Sequence, residues 1–222
     1  MKPVACALTA ECGQKCSLLI DESGCLHSFG QEFIGSSASE PGSRGVLGHG
    51  DDVKTTLALP TPLPSVRAVR FCGVAVCKCH CLALDEAGRV FAWGEGSKGQ
   101  LGLGDEGREG RCYRTAPALV SALKAEPVCA VACGAAHSLA LAASGTLYSW
   151  GSGDATGHEG RVVSGEVDTR TSTPRRVDAL REVAVRALAA GPLLSLAASA
   201  GGELYSWGEP DPKTLGRPLA PK

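Results

Sequence analysis

The chain has 222 residues, with 22 Lys and Arg against 23 Asp and Glu. That near-neutral balance excludes a general electrostatic grip on nucleic acid or on an acidic membrane surface. The length allows one compact domain with a sizeable core. No apolar run is long and charge-free enough to cross a bilayer, and 11 cysteines on expected strands, an odd number, point to reduced thiols in the cytoplasm or nucleus rather than a disulfide scaffold.

Val4 to Gly13 reads as a first strand. The opening MKPVACALTAEC faintly resembles a secretion signal, but its apolar segment is too short. Residues 12–30, CGQKCSLLIDESGCLHSFG, then read as turn, strand, turn and strand, ending at Phe29-Gly30. An insert rich in Ser, Gly and Pro, Gln31 to Arg44, precedes a Gly-rich loop, Gly45 to Asp51. Pro62 and Pro64 open a second unit. Its strands fall around Val66 to Phe71, before a closing Trp93-Gly94 and a second Gly-rich loop, Gly99 to Asp105. Here Cys72-Gly73 stands as the counterpart of Cys12-Gly13, which leaves four more residues before His80 than the next unit has.

The third unit starts near Pro117 and contains the clearest stretch, VCAVACGAAHSLALAASGTLYSWG at residues 128–151. Leu139, Leu141, Leu147 and Tyr148 alternate with small residues. Ala143-Ser144-Gly145 supplies the turn between two strands. Its Gly-rich loop departs from the pattern, with Gly157-His158 in place of a Leu-Gly pair. The polar segment Gly157 to Thr173 is expected to be an exposed loop. A fourth unit starts at Pro174 and closes at Trp207-Gly208. The closing glycines Gly30, Gly94, Gly151 and Gly208 are 64, 57 and 57 residues apart. The slot 13 residues before each closing aromatic holds Cys16, His80, His137 and Leu194. Units of about 4–61, 62–116, 117–173 and 174–222 follow, within one repeat domain covering 1–222. A period of this length, rich in short strands and Trp-Gly endings, predicts an all-β fold, a β-propeller of about four blades.

These residues resemble the repeat of the regulator of chromosome condensation (RCC1-like) family. Cys133-Gly134, His137, Leu139 to Leu141, Gly145, Leu147-Tyr148 and Trp150-Gly151 fill its pattern. So do Gly88, Val90-Phe91, Trp93-Gly94 and Gly99 to Asp105. The resemblance implies four-stranded antiparallel blades in a ring that is typically seven-bladed. Four blades would either close on themselves, with the Val4 strand completing the last, or form an incomplete, open ring. The second geometry suits the family's blade angle better, and its raw edges would allow edge-mediated self-association. Phe29, Trp93, Trp150 and Trp207 are expected to pack between blades.

Chemical constellations have plain alternatives. Cys77-Lys78-Cys79-His80-Cys81 is dense in metal-ligand types, but alternation along a strand points the thiols and His80 to opposite faces. His80 and His137 share a repeat slot that other units fill with Cys16 and Leu194, so a buried hydrogen-bonding role is expected. Gly94 to Gly99 lacks the ending of a phosphate loop. No metal, cofactor or catalytic residue is therefore assigned, and the chain is read as no enzyme.

The expected function is a protein-interaction module whose face loops hold a protein partner, because binding residues sit on loops held by a scaffold. The loops least explained by the repeat are Gln31–Arg44, Asp105–Arg114 and Asp154–Thr173. The candidate contact residues are Asp105, Glu106, Arg108, Asp154, His158 and Glu159. Neither nucleic acid nor membrane is an expected partner. The resemblance also implies an alternative, guanine-nucleotide exchange on a Ran-like small GTPase, in which the factor prefers the nucleotide-free form.

Overall fold

The computed structural model describes residues 7–32, 45–51, 56–104, 113–158, 161–163 and 166–209. The first sheet contains β1 (Ala7–Cys12), β2 (Cys16–Asp21), β3 (Leu26–Gln31) and β4 (Thr56–Pro62), hydrogen-bonded in that order. The second repeats it with β5 (Phe71–Val76), β6 (His80–Asp85), β7 (Val90–Glu95) and β8 (Tyr113–Leu119). The third is built from β9 (Val128–Cys133), β10 (His137–Ala142) and β11 (Leu147–Gly151). A short ribbon of β12 (Arg161–Val163) and β13 (Glu166–Asp168) then leads to its outer strand, β14 (Thr171–Arg176). The fourth sheet holds β15 (Val185–Ala190), β16 (Leu194–Ser199) and β17 (Leu204–Gly208) among the described residues.

All pairings within these sheets are antiparallel. Each sheet is a blade, and each stacks on its sequence neighbour through its first two strands: β1 and β2 on β5, β5 and β6 on β9, β9 and β10 on β15. The four blades form an open propeller arc, as expected.

Position in the blade explains the residue types. β6 and β10 are buried along their whole length, because each is sandwiched between sheets on both faces. They read accordingly as near-continuous small and apolar runs. The outer strands carry prolines, namely Pro60 and Pro62, Pro117 and Pro174. Proline cannot donate to a ladder and belongs at a sheet edge, where it also discourages further pairing. Each outer strand is followed by a single 3-10 turn, Pro64–Val66, Ser121–Leu123 or Asp178–Leu180, which drives Val66, Leu123 or Leu180 into the core. The sheets thus run 7–62, 71–119, 128–176 and 185–208, and the prolines at 117 and 174 lie inside β8 and β14.

The core comes in three clusters, one for each blade junction. Trp93 and Trp150 lie in the first two and are fully buried; Trp207 packs against the third and is partly exposed. Each tryptophan lies under the Gly-rich loop of the preceding blade, and its ring leaves no room for a Cβ on that loop. A Cβ at Gly48 would sit 2.9 Å from Trp93 Nε1, one at Gly102 2.7 Å from Trp150 Nε1, and one at Gly157 3.0 Å from Trp207 Nε1.

The structure corrects three readings of the sequence. In the third loop the place of the Leu-Gly pair is taken by Thr156-Gly157, so that Gly157 matches Gly48 and Gly102 and His158 matches His49. The polar stretch after it is not one continuous loop, since it carries the β12–β13 ribbon and the start of β14. In the second blade there is no four-residue excess. Val76 pairs with Cys81 as Cys133 pairs with Ser138, so the turns 77–79 and 134–136 are equal in length. Cys72-Gly73 lies within β5, beside a register shift between Phe71 and Gly73.

The closing glycines have a steric reason. Gly151 pairs with His137, and its φ of 106° is one that only glycine adopts readily. A Cβ there would approach His137 Cα to 2.7 Å. Gly94 stands in the same relation to His80.

Replacing Trp150 by Ala removes the largest side chain of the second junction and should cost about 3–5 kcal/mol. Trp207→Ala, at a partly exposed site, should cost distinctly less. Urea unfolding of both variants against the parent chain measures the difference.

Candidate protein-interaction face

The slot residues and tryptophans form a repeating tie across each junction. His80 Nε2 lies 2.8 Å from Ser138 Oγ, and Ser138 Oγ donates to the Gln100 carbonyl at 2.8 Å. Trp150 Nε1 donates to the same carbonyl at 2.8 Å. One junction on, His137 Nε2 meets Ser195 Oγ at 3.0 Å, and Ser195 and Trp207 both donate to the Ala155 carbonyl, at 2.6 and 3.0 Å. Because each serine hydroxyl spends its proton on the carbonyl, each histidine must donate through Nε2–H. Burial keeps the rings neutral, lowering their pKa from an ordinary 6.5 to about 3 for His80 and about 4 for His137. Buried, and with Nε2 committed to a serine, these two histidines act as struts. Gly134 belongs to the same unit, since the His137 ring occupies the space its Cβ would need.

The first junction uses sulfur. Cys16 holds the histidine slot and Cys81 the serine slot. The Cys81 thiol donates to the Val46 carbonyl at 3.5 Å and lies against the Cys16 thiol, while Trp93 Nε1 donates to Val46 at 3.0 Å. Burial, and secondarily the Cys16 contact, holds the Cys81 pKa well above the usual thiol range. The thiols of the 77–81 stretch are thus packing groups: Cys79 and Cys81 are buried, and Cys79 reaches the Ala135 carbonyl.

Fixed from below, the loops after β3, β7 and β11 all leave from the same end of the blades and share one face. They also reach across to the next blade, with the Gly50 N–H on the Thr115 carbonyl and the Gly104 N–H on the Ser172 carbonyl, at 2.8 and 2.9 Å. Glu32 secures the first loop by accepting the backbone N–H groups of Gly45, Val46 and Leu47 at 2.8, 3.1 and 2.9 Å.

Of the candidate contact residues, Asp154 and His158 are described, and Asp105, Glu106, Arg108 and Glu159 lie outside the described residues. Asp154 is exposed at the start of the 3-10 turn Asp154–Thr156. It lines a pocket of about 230 Å³ between the third and fourth blades. The floor is Ala136, His137 and Ala155, and the far wall is Pro192, Leu193 and Glu209. Leu193 is 54% exposed. The pocket is therefore mainly apolar, with two carboxylates near its rim. His158 is half-buried and turned inward: its Nε2 meets Ser149 Oγ at 2.8 Å, as His49 Nε2 meets Ser28 Oγ at 3.0 Å in the first blade. Burial lowers the pKa of both rings.

Sequence reasoning missed the serine half of each tie, although Ser138 and Ser195 directly follow the slot. Leu193 and Glu209 were also missed, since they gain meaning only when blades three and four are set side by side.

Comparison with known proteins agrees with this architecture. Family models described as the regulator of chromosome condensation (RCC1) repeat match residues 87–141 and 128–155. The probable E3 ubiquitin-protein ligase HERC6 of Homo sapiens is 31% identical over 206 residues, covering 93% of this chain and 18% of HERC6. The E3 ubiquitin-protein ligase HERC2 of Homo sapiens is 35% identical over 206 residues, covering 92% of this chain and 4% of HERC2. Among solved structures, Prp20p of Saccharomyces cerevisiae, reported with its binding properties to Gsp1p and histones, superposes with a TM-score of 0.72 at 28% identity. That match covers 96% of this chain and 45% of Prp20p. The chain thus spans under a fifth of these two curated relatives and just under half of the solved neighbour.

The depressed histidines make a pH-dependence explicit. The unfolded rings bind protons below about 6.5, while the folded rings stay neutral until about 3 to 4. Their contribution to stability is therefore complete above pH 6.5 and is lost as pH falls toward 4. The urea midpoint should drop steeply over that window, and a His80→Gln, His137→Gln double variant, though less stable at neutral pH, should show a shallower drop.

Proposed function

We propose that this chain, which belongs to the regulator of chromosome condensation repeat family, is a non-enzymatic protein-interaction module that works inside the cell. The observation that carries this reading is the division of labour in each blade. The buried histidines and the serines beside them are consumed by the ties between blades, while the Gly-rich loops stand on one face of the arc. Such an arrangement can present side chains without reorganising when a partner docks.

The pocket between the third and fourth blades is the proposed contact. Asp154 and Glu209 beside an exposed Leu193 suit a protein segment with a Lys or Arg flanked by an apolar residue. Asp105, Glu106, Arg108 and Glu159 are proposed to extend the contact, with His158, turned inward onto Ser149, supporting the loop from beneath. HERC6, HERC2 and Prp20p support the reading in a general way, since each carries a similar propeller region in a differently described protein.

A second reading is guanine-nucleotide exchange on a Ran-like GTPase. The structural likeness to Prp20p, reported with its binding to Gsp1p, is what favours it. Release of labelled GDP from a panel of small GTPases, with and without the folded chain, separates the two. Acceleration on one GTPase would replace the scaffold reading; unchanged release alongside binding of a protein ligand would support it.

Selection from a displayed library of short peptides is expected to enrich sequences with a basic residue next to an apolar one. Asp154→Lys with Glu209→Lys should weaken those peptides by about tenfold or more, the effect of about 1.4 kcal/mol. Both residues are exposed, so the thermal midpoint should stay within a degree or two of the parent, a loss of under about 0.5 kcal/mol.

A further inference from the structure

The turn between β2 and β3 differs from its counterpart in the second blade in a way that packing does not require. In both, an aspartate ends the second strand and holds the turn. Asp85 Oδ1 accepts the N–H groups of Ala87 and Arg89 at 3.0 and 2.8 Å, and its Oδ2 takes the Arg89 guanidinium at 2.6 Å. Asp21 Oδ1 likewise accepts the N–H groups of Ser23 and Cys25, at 2.9 and 3.0 Å. But Cys25 stands where the second blade has Arg89, and His27 stands where it has Phe91. The cation and the ring that close the second turn are replaced by a thiol and an imidazole. His27 Nε2 lies 2.9 Å from Asp21 Oδ2, and ligand atoms of Asp21, Cys25 and His27 all lie within 4.8 Å of one another.

We propose that Asp21, Cys25 and His27 form a zinc site at the β2–β3 turn of the first blade, with a fourth position open to water or to a partner's side chain. Three features support it. The donor set combines carboxylate, thiolate and imidazole, which suits Zn²⁺, and a site with three protein ligands leaves one position open. The carboxylate is already oriented, since three donors from Ser23 and Cys25 hold Oδ1 and leave Oδ2 turned toward His27. Such outer hydrogen bonds are what fix a metal-binding carboxylate. Finally, His27 Nδ1 is buried with no hydrogen-bond partner among the described residues. His80 Nδ1 is likewise unpartnered, but His27 Nε2 faces a carboxylate where His80 Nε2 faces a serine hydroxyl. All three residues are partly exposed, so an ion and its fourth ligand can reach them. Binding releases the Cys25 thiol proton to solvent and replaces the His27–Asp21 hydrogen bond by two bonds to the metal.

The test uses the whole chain, freed of metal by a chelator, and titrated with Zn²⁺ and with Co²⁺ as a coloured substitute. One ion per chain is expected, with tetrahedral Co²⁺ absorption and a single thiolate charge-transfer band. X-ray absorption at the zinc edge should show one sulfur near 2.3 Å and the remaining ligands near 2.0–2.1 Å. Cys25→Ser should weaken binding by more than the ~10–100-fold that loss of an outer partner costs. Cys25→Arg with His27→Phe, which installs the second blade's pair, should abolish binding and leave the circular dichroism unchanged. Absence of stoichiometric binding, a shell of two or more sulfurs, or binding that survives the double variant would each overturn the site. The absorption measurement needs only the parent chain, so it decides the matter even where a variant fails to fold.

Discussion

Everything in this molecule depends on one carbonyl at each blade junction. Val46, Gln100 and Ala155 each offer a carbonyl that receives an indole N–H from the next blade and a second donor from the strand beside it. The carbonyl belongs to a face loop and the donors belong to the neighbouring core. A single acceptor therefore fixes loop position, blade spacing and the tryptophan rotamer together. Left unpaired in such a buried place, the carbonyl or the indole would cost about 1–3 kcal/mol, so the three features stand or fall as a unit.

This coupling explains why the loops can differ while the arc stays regular. Leu47, Leu101 and Thr156 occupy one loop position, and His49, Leu103 and His158 the position beyond the shared glycine, yet the backbone path under them is shared. The side chains that point away from the tie are free to change with the partner. Asp154 illustrates the point: it lies next to Ala155, whose carbonyl holds the junction, but its own carboxylate is exposed and takes no part in that tie.

Much of this was legible in the sequence because the repeat prints its steric demands in order. The closing glycines and the aromatic before each of them mark places with a narrow steric choice, the histidine slot recurs at a fixed distance from them, and the strands, blade number and buried histidines followed. Register was harder to read. Cys72-Gly73 looks like the turn pair Cys133-Gly134, but the true counterpart is Val76-Cys77, because what the turn conserves is its length and not its letters. Thr156-Gly157 was hidden for a similar reason: Thr156 replaces a leucine, and only the indole above Gly157 reveals the match. The pocket at Asp154 joins residues from two blades, and the donor group at Asp21, Cys25 and His27 depends on where three side chains point. Neither property is written in a one-dimensional pattern.

The substitution of sulfur at the first junction carries a consequence for how the arc comes apart. In a repeat protein, stability is close to a sum of units and nearest-neighbour interfaces. The second and third junctions each rest on a buried neutral imidazole; the first rests on Cys16 and Cys81 and has no imidazole. Protonation therefore acts unequally along the chain. The imidazole contribution to acid sensitivity thus falls on the second and third junctions, between β6 and β10 and between β10 and β16, and not on the first.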